Sequence, residues 1–491
     1  KPRSIPTPVK ALKSTNPRSE AFISRSKKNN PIPMSSQHTH TENNLEGKLP
    51  ISEKVAYGLG DTASCLYYST LAQFLLFFYT DVFGITATAA GLMMLITKLW
   101  DTANDPIMGM IADRTTSRHG KFRFWILWMI PAFMITGVLV FITPDLSMTG
   151  KLIWAYVTYS LVGMAYTAIN VPYSALMGVM TSNSKERSIL ASFRFLGANS
   201  GSLIVNGTLL WLVATLGQGN EQRGFFYTMC LYAVIAGALF FITFKYTRER
   251  VLPPLKKNTV LRDLKDLTKN GPWLVFCVVG VLTLIYISVR GGATLYYFKY
   301  YIGNQSLAPS YLVVGSVFAI AGVSCTKYIL AWFRDKRRAY ICLTLLTATI
   351  TLAFYFVSPT DIALLFGLQV VGAFVAAPLM PLTWAMFADT ADYAEYKLGR
   401  RATGLIFSAG TTSQKLGWTL GGSSAGFMLG FYGFEANMEQ SPDTLNGIVL
   451  LMSIIPASVA FLTAFVTLFY KIDYKMEKEL EETVSRNSAE R

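Results

Sequence analysis

Between about residues 55 and 470 one apolar stretch follows another, and charge is almost confined to the gaps between them. Twelve stretches are legible, near 57–80, 84–112, 122–143, 152–178, 189–216, 224–246, 273–298, 308–333, 339–358, 361–388, 402–431 and 446–470. Most reach the ~20 residues that a helix needs to cross a ~30 Å hydrocarbon core. Inside lipid every backbone N–H and C=O must be paired within its own segment, so each stretch is expected to be helical. The expected fold class is therefore an all-α integral membrane protein with many crossings. Composition agrees: 52% of the 491 residues are hydrophobic and 15% charged, against roughly 25% charged in an ordinary soluble domain. A net charge of +15 would suit a nucleic-acid binder in a polar chain, but this apolar content excludes that partner. The five cysteines, at 65, 230, 277, 325 and 342, form no Cys-x-x-Cys pair and read as small core residues. His38 and His40 lie in a polar tail and His119 in a basic loop, which removes histidine catalysis and a zinc site from consideration.

The positions of the basic residues set an expected topology. Alternate gaps hold Arg114, Arg118, Lys121 and Arg123; Lys185 and Arg187; a long series from Lys245 to Lys269; Arg334, Lys336, Arg337 and Arg338; and Lys397, Arg400 and Arg401. These are 21 basic residues on one side, against Lys151, Arg223 and Lys299 on the other. Both termini fall on the basic side, which is expected to be cytoplasmic. Residues 1–49, with nine Lys/Arg against three Glu and Pro2, Pro6, Pro8 and Pro17, read as a disordered basic tail, within which Met34 is a second candidate start. The remaining organisation reads as a six-helix bundle over 50–246, a central loop over 247–271, a second bundle over 272–470 and a tail over 471–491. The basic turn after the second stretch, Asp113 to Lys121, has a shorter echo after the eighth, Arg334 to Arg338. Two related halves of six helices favour a major facilitator fold.

Ionisable groups inside the apolar stretches are costly and mark functional positions. The sharpest set is Lys98-Leu-Trp-Asp101-Thr-Ala-Asn104-Asp105-Pro106. Asp101 and Asp105 are four apart, so their carboxylates project one turn apart from one helix face. Two such charges in a low-dielectric interior require a proton or a cation between them, and their oxygens suit a hard cation such as Na⁺. Lys98 would be the counter-ion of the empty site, and a static ion-pair network is the competing reading. Asp61, Arg194, Arg290, Lys327 and Lys415 are further charges in or beside apolar stretches. Gly417, Gly421, Gly422 and Gly426 follow Lys415 and permit close helix approach. A hydroxylated substrate would need hydrogen-bonding groups and aromatic faces, and Tyr166, Asn170, Tyr173, Arg194, Trp384, Lys415 and Trp418 are the candidates. Packing in lipid or core competes with ligand contact for every aromatic among them. Gly58-x-Gly60 follows no strand and reads as a packing device, and neither a Walker motif nor a large soluble domain is present.

Three motifs resemble those of the glycoside–pentoside–hexuronide:cation symporter family: Trp100-Asp101-x-x-Asn104-Asp105-Pro106-Ile-Met-Gly109, Arg118-x-Gly120-Lys121-Phe122, and Ala388-Asp389-Thr390-x-Asp392-Tyr393-x-Glu395-Tyr396-Lys397. The resemblance runs from about residue 50 to 470. It implies a cation site at Asp101, Asn104, Asp105 and Thr167, coupled to Na⁺ with H⁺ or Li⁺ as alternatives, and no other cofactor. It implies that Tyr166, Arg194 and Lys415 belong to the sugar site. Where the family's melibiose carrier has galactoside-binding carboxylates this chain has Cys65 and Asn170, and Ser174 stands where that carrier has a sugar-stacking tryptophan. With those acids absent and two cations retained, the site is expected to be more positive than that carrier's and to prefer a hexuronide, a uronic acid or another anionic or plain sugar over an α-galactoside.

The expected function is cation-coupled symport by alternating access, in a multi-pass protein of the bacterial inner membrane. Its partners are a small sugar or uronide and the bilayer, with no obligate protein partner. Ion pairs among Asp113, Arg114, Arg118, Asp389, Asp392, Glu395, Arg400 and Arg401 are expected to lock the outward-facing state. A lysophospholipid or lipid carrier of the same fold and a membrane sugar sensor without transport are the alternatives. An enzyme such as a glycosyltransferase is disfavoured, because no acid/base constellation or sizeable extramembrane domain appears.

Overall fold

The computed structural model describes residues 48–181, 183–250, 268–398 and 403–480; the tail over 1–47, most of the central loop, Arg400, Arg401 and residues 481–491 lie outside them. No strand occurs among the described residues. The first group of helices is α1 (Ile51–Phe77), α2 (Ala87–Arg114), α3 (Arg123–Leu139), α4 (Met148–Met180), α5 (Ser184–Gly217) and α6 (Glu221–Tyr246). The second is α7 (Gly271–Tyr296), α8 (Leu307–Ser324), α9 (Thr326–Phe333), α10 (Lys336–Ala353), α11 (Ile362–Ala376), α12 (Leu379–Leu398), α13 (Thr403–Phe431), α14 (Pro442–Met452) and α15 (Ile454–Thr467).

Helices begin where polar side chains accept the first free backbone N–H groups. Thr86, Ser147, Asn220, Asn270, Asp335 and Ser441 cap α2, α4, α6, α7, α10 and α14 in this way. Such caps carry several helices a few residues beyond the apolar stretches; α4 starts at Met148, not near residue 152. Three expected single stretches are broken. The stretch over 308–333 divides at Cys325, that over 361–388 at Ala377 and Pro378, and that over 446–470 at Ser453. Pro378 lacks an N–H and its ring crowds the preceding turn; at Ser453 the backbone leaves the helical region, with φ −124° and ψ −86°.

Eight helical runs among the described residues are long and apolar enough to cross a membrane. α3 is apolar but has 17 residues. α1, α2 and α13 miss because they carry charged and small polar side chains, and these are the helices that build the site.

α1 packs on α5 and α6, α3 on α4 and α6, and α2 on α4, while α7 packs on α13 and α15, and α10 on α11 and α15. The two groups meet through α2 with α13, α5 with α8, and α1 with α7. Glycine sets the first of these contacts: a Cβ on Gly426 would lie 2.8 Å from the Ala87 carbonyl oxygen, and one on Gly91 2.8 Å from that of Ser423. Gly58 does the same inside the first group, where a Cβ would meet the Phe193 carbonyl oxygen at 2.6 Å. Both α1 and α7 end in a five-residue π-helical turn, Phe78–Val82 and Tyr297–Tyr301. That shared ending accords with related halves.

Candidate functional site

Asp101 and Asp105 project from one face of α2 towards Thr167 on α4, and the Thr167 hydroxyl lies 3.0 Å from an oxygen of each carboxylate. One hydroxyl has one proton, so it donates to one carboxylate at a time. The remaining repulsion is met by lysines on either side. Lys98 Nζ is 3.7 Å from Asp101 Oδ2, and Lys415 on α13 is in contact with Asp105 Oδ2. Gly163 faces Asp101, where a Cβ would come within 3.4 Å of its carboxylate. Thr167 is buried, whereas the Lys415 side chain keeps 42% of its exposure. Asn104 lies on the same helix but makes no hydrogen bond among the described residues. Among those residues no group of three or more His, Cys, Asp or Glu suits a metal ion. The oxygen set is two carboxylates and a hydroxyl, which fits a hard monovalent cation or a proton.

Arg194 on α5 grips Asp61 on α1 through two hydrogen bonds, Nε to Oδ2 at 2.6 Å and Nη2 to Oδ1 at 3.2 Å. Arg194 also reaches Ser174 Oγ at 3.4 Å and lies over the Tyr173 ring, 5.1 Å from its centroid. The Tyr173 hydroxyl donates to the Tyr57 carbonyl at 2.5 Å and approaches Asp61 Oδ2 at 3.1 Å. Tyr173 is fully buried, and its hydroxyl is engaged with the Tyr57 carbonyl and Asp61. The charges of the cluster are matched. Lys98, Lys415 and Arg194 stand against Asp101, Asp105 and Asp61, which leaves the cluster balanced.

Tyr166 and Trp418 are half-buried. Asn170 Oδ1 accepts from Ser64 Oγ at 2.7 Å, and its amide donates to the Tyr166 carbonyl at 3.2 Å. Trp384 sits elsewhere on α12, its ring 5.9 Å from that of Phe387. The sequence reading passed over Tyr68, whose ring touches both Tyr166 and Trp418. It also passed over Asp81, which directly follows the first apolar stretch. The signal available for Asp81 was a lone acid at the end of an apolar run, opposite Lys299 in the other half. A cavity of about 620 Å³ lies apart from these charges, between α5, α6 and the start of α8, beside Trp211, Phe225 and Pro309.

Asp81 ties the two groups together at the end remote from the basic loops. Its side chain is fully buried and pairs with Lys299 at 2.7 Å. Tyr300 Oη also donates to it, and the Asn437 amide donates to its carbonyl at 2.7 Å. Beside it Thr80 and Tyr296 share a 2.8 Å hydrogen bond, and Asn206 on α5 reaches Ser316 on α8 at 3.0 Å, both between the two groups.

At the basic end the described ion pairs each stay within one group. They are Asp113 with Lys121, Glu53 with Arg250, Lys54 with Glu186, and Lys336 with both Asp389 and Glu477. Glu249 accepts from the backbone N–H groups of Lys121, Phe122 and Arg123, at 2.8–2.9 Å, and so caps α3. The hydrogen bond from Lys54 holds the Glu186 carboxyl below its usual range, and the Glu53 carboxylate raises the Arg250 guanidinium. Arg114 and Arg118 are exposed. Glu395 is buried and Asp392 half-buried, while Arg400 and Arg401 fall outside the described residues.

A family model described as MFS/sugar transport protein matches residues 56–474. The chain is 35% identical over 410 residues to the inner membrane symporter YicJ of Escherichia coli (strain K12), covering 83% of this chain and 89% of that one. It is 33% identical over 413 residues to the isoprimeverose transporter of Lactiplantibacillus pentosus, covering 83% and 86%. It is 30% identical over 411 residues to the glucuronide carrier protein homolog of Escherichia coli (strain K12), covering 83% and 90%. Among solved structures, that of a D-xylose-proton symporter superposes with a TM-score of 0.61 at 15% identity, covering 87% of this chain and 99% of that one, a likeness of fold.

Proposed function

The chain belongs to the glycoside–pentoside–hexuronide:cation symporter family of the major facilitator superfamily, and from that premise we propose that it couples movement of a sugar, glycoside or hexuronide to Na⁺. One observation carries the coupling: Lys415, from the second group of helices, occupies a carboxylate of the Asp101–Thr167–Asp105 set in the first. A cation entering that set competes with a bridge between the two groups, so its binding and their relative movement share one free energy. By linkage, a sugar that favours the cation-bound arrangement raises cation affinity by the same factor. H⁺ on Asp101 or Asp105 would neutralise the site in the same way.

The membrane arrangement we propose has twelve crossings in an inner membrane, with both termini cytoplasmic. α8 with α9, α11 with α12, and α14 with α15 each make one crossing, giving six in each half. The excess of basic residues on one side supports the orientation. On that orientation the two halves are joined at the outer end by Asp81, Lys299, Tyr300 and Asn437, and the basic end has ion pairs within each half. This supports an inward-facing conformation. In the opposite state the Asp389–Glu395 stretch would exchange its present partners and, with Arg114 and Arg118, join the halves at the cytoplasmic end.

The balanced charges refine the substrate reading. A bound cation adds one positive charge to a cluster that is otherwise neutral, and this suits one carboxylate on the sugar. Hexuronides are therefore the favoured class in the cation-bound state, with neutral pentosides or hexosides next. A panel of uronides, xylosides and galactosides tested in right-side-out vesicles with and without Na⁺ decides this. Na⁺-dependent accumulation of a glucuronide is expected; accumulation of neutral galactosides with no response to glucuronides would overturn the preference.

A further inference from the structure

Three half-buried aromatic side chains converge from three helices: Tyr68 on α1, Tyr166 on α4 and Trp418 on α13. The Tyr68 ring lies 6.2 Å from that of Tyr166 at 33°, and 5.7 Å from that of Trp418 at 67°. Tyr166 adjoins Thr167 in sequence, and Trp418 stands one turn beyond Lys415, so the trio forms the layer next to the carboxylate–lysine cluster. Tyrosine and tryptophan tips normally find a hydrogen-bond partner when they are packed away from water. The tips of Tyr57, Tyr173, Tyr232 and Tyr470 do so. Tyr68 Oη, Tyr166 Oη and Trp418 Nε1 make no hydrogen bond among the described residues. Tyr79 and Tyr297 also lack partners, but their hydroxyls are sealed in the core, which those of Tyr68 and Tyr166 are not. Ring faces with three unspent polar tips at one place, beside a charge cluster reached by solvent, form a receptor for a ring with one apolar C–H face and a rim of hydroxyls.

Resting on the sugar reading above, we propose that Tyr68 determines substrate specificity: its ring is the platform for the C–H face of one pyranose, and Tyr166 and Trp418 flank that sugar. The aromatic face does this by area and shape, and the phenol oxygen adds a hydrogen bond to a ring hydroxyl. Tyr68 comes from the first half and Trp418 from the second, so a sugar resting on Tyr68 beside Trp418 touches both halves in one conformation.

The test uses the full-length protein in proteoliposomes, with p-nitrophenyl β-D-glucuronide and p-nitrophenyl β-D-xyloside as probes and the Na⁺ activation constant as an internal control. Tyr68→Phe keeps the ring and is expected to hold KM within about threefold, whereas Tyr68→Leu raises it about tenfold with kcat and Na⁺ activation unchanged. Tyr68→Trp keeps a platform and should resemble Tyr68→Phe. If Tyr68→Leu leaves KM unchanged, or shifts Na⁺ activation as much as KM, or lowers kcat alone, the platform is refuted while the sugar reading stands. If the unmodified protein transports neither probe nor any sugar of the panel, the reading beneath it fails.

Discussion

Removing the Lys299 ammonium should open the outer end of the protein. Lys299 Nζ sits 2.7 Å from Asp81 Oδ1, with the Asp81 side chain fully buried and that of Lys299 19% exposed. Deleting one partner of a buried ion pair costs ~3–5 kcal/mol because the other charge is left without compensation. Asp81 retains Tyr300 and the Thr80 hydroxyl, the latter at 2.7 Å, so the cost falls to or below the bottom of that range, about 2–3 kcal/mol. The cost falls only on the conformation in which the halves are joined, since separation returns Asp81 to water. Lys299→Ala is therefore expected to shift the balance towards the outward-open state by about 30- to 150-fold. The shift is readable by electron–electron resonance between spin labels at Met148 and Phe356, which are 51% and 77% exposed, after the cysteines at 65, 230, 277, 325 and 342 are replaced by serine. A longer-distance population should appear in Lys299→Ala. It should shrink in the Asp81→Asn/Lys299→Ala double variant, where no lone carboxylate is buried. Identical distance distributions in the parent and both variants would refute the reasoning.

Asp101→Cys should abolish concentrative uptake while membrane insertion persists, and retained Na⁺-driven accumulation would remove that carboxylate from the coupling site. Arg194→Gln leaves Asp61 buried beside Tyr173 with one charge unmatched, so it should destabilise the protein by about 3 kcal/mol, and Asp61→Asn in the same chain should restore much of this; thermal unfolding in detergent measures both. The Glu186 carboxyl is held below its usual range by Lys54, so its stabilising contribution is complete above the ordinary carboxylate value and is lost as pH falls through the depressed one. Glu186→Gln should consequently flatten the loss of thermal stability below about pH 4, and an unchanged acid limb would show that the pair contributes nothing.

The all-helical membrane fold was legible because the constraint is local. A stretch such as 224–246 has no other way to satisfy its backbone in lipid, whatever surrounds it. The pairing of two carboxylates was legible for a related reason: Asp101 and Asp105 share a helix, so their spacing alone puts both carboxylates on one face. Thr167 required the family resemblance, since nothing in α4 by itself aims a threonine at α2. The break at Cys325 was missed because no proline marks it, and those at Ala377 and Ser453 because Pro378 and Pro456 compete with prolines tolerated inside α2, α3 and α4.

What the sequence determined by itself was the helical membrane architecture, the basic side, and the few ionisable residues that lipid would otherwise exclude. The tertiary structure decided how those charges are spent. It pairs Arg194 with Asp61 and Lys415 with Asp105, which balances the charges of the site. It also assigns Tyr173 to the support of that pairing and joins Asp81 to Lys299 across 218 positions of chain. The physical reason is the short reach of hydrogen bonds and ion pairs: a charge in a low-dielectric interior is defined by the partner within a few ångströms, and only packing of distant helices brings that partner near.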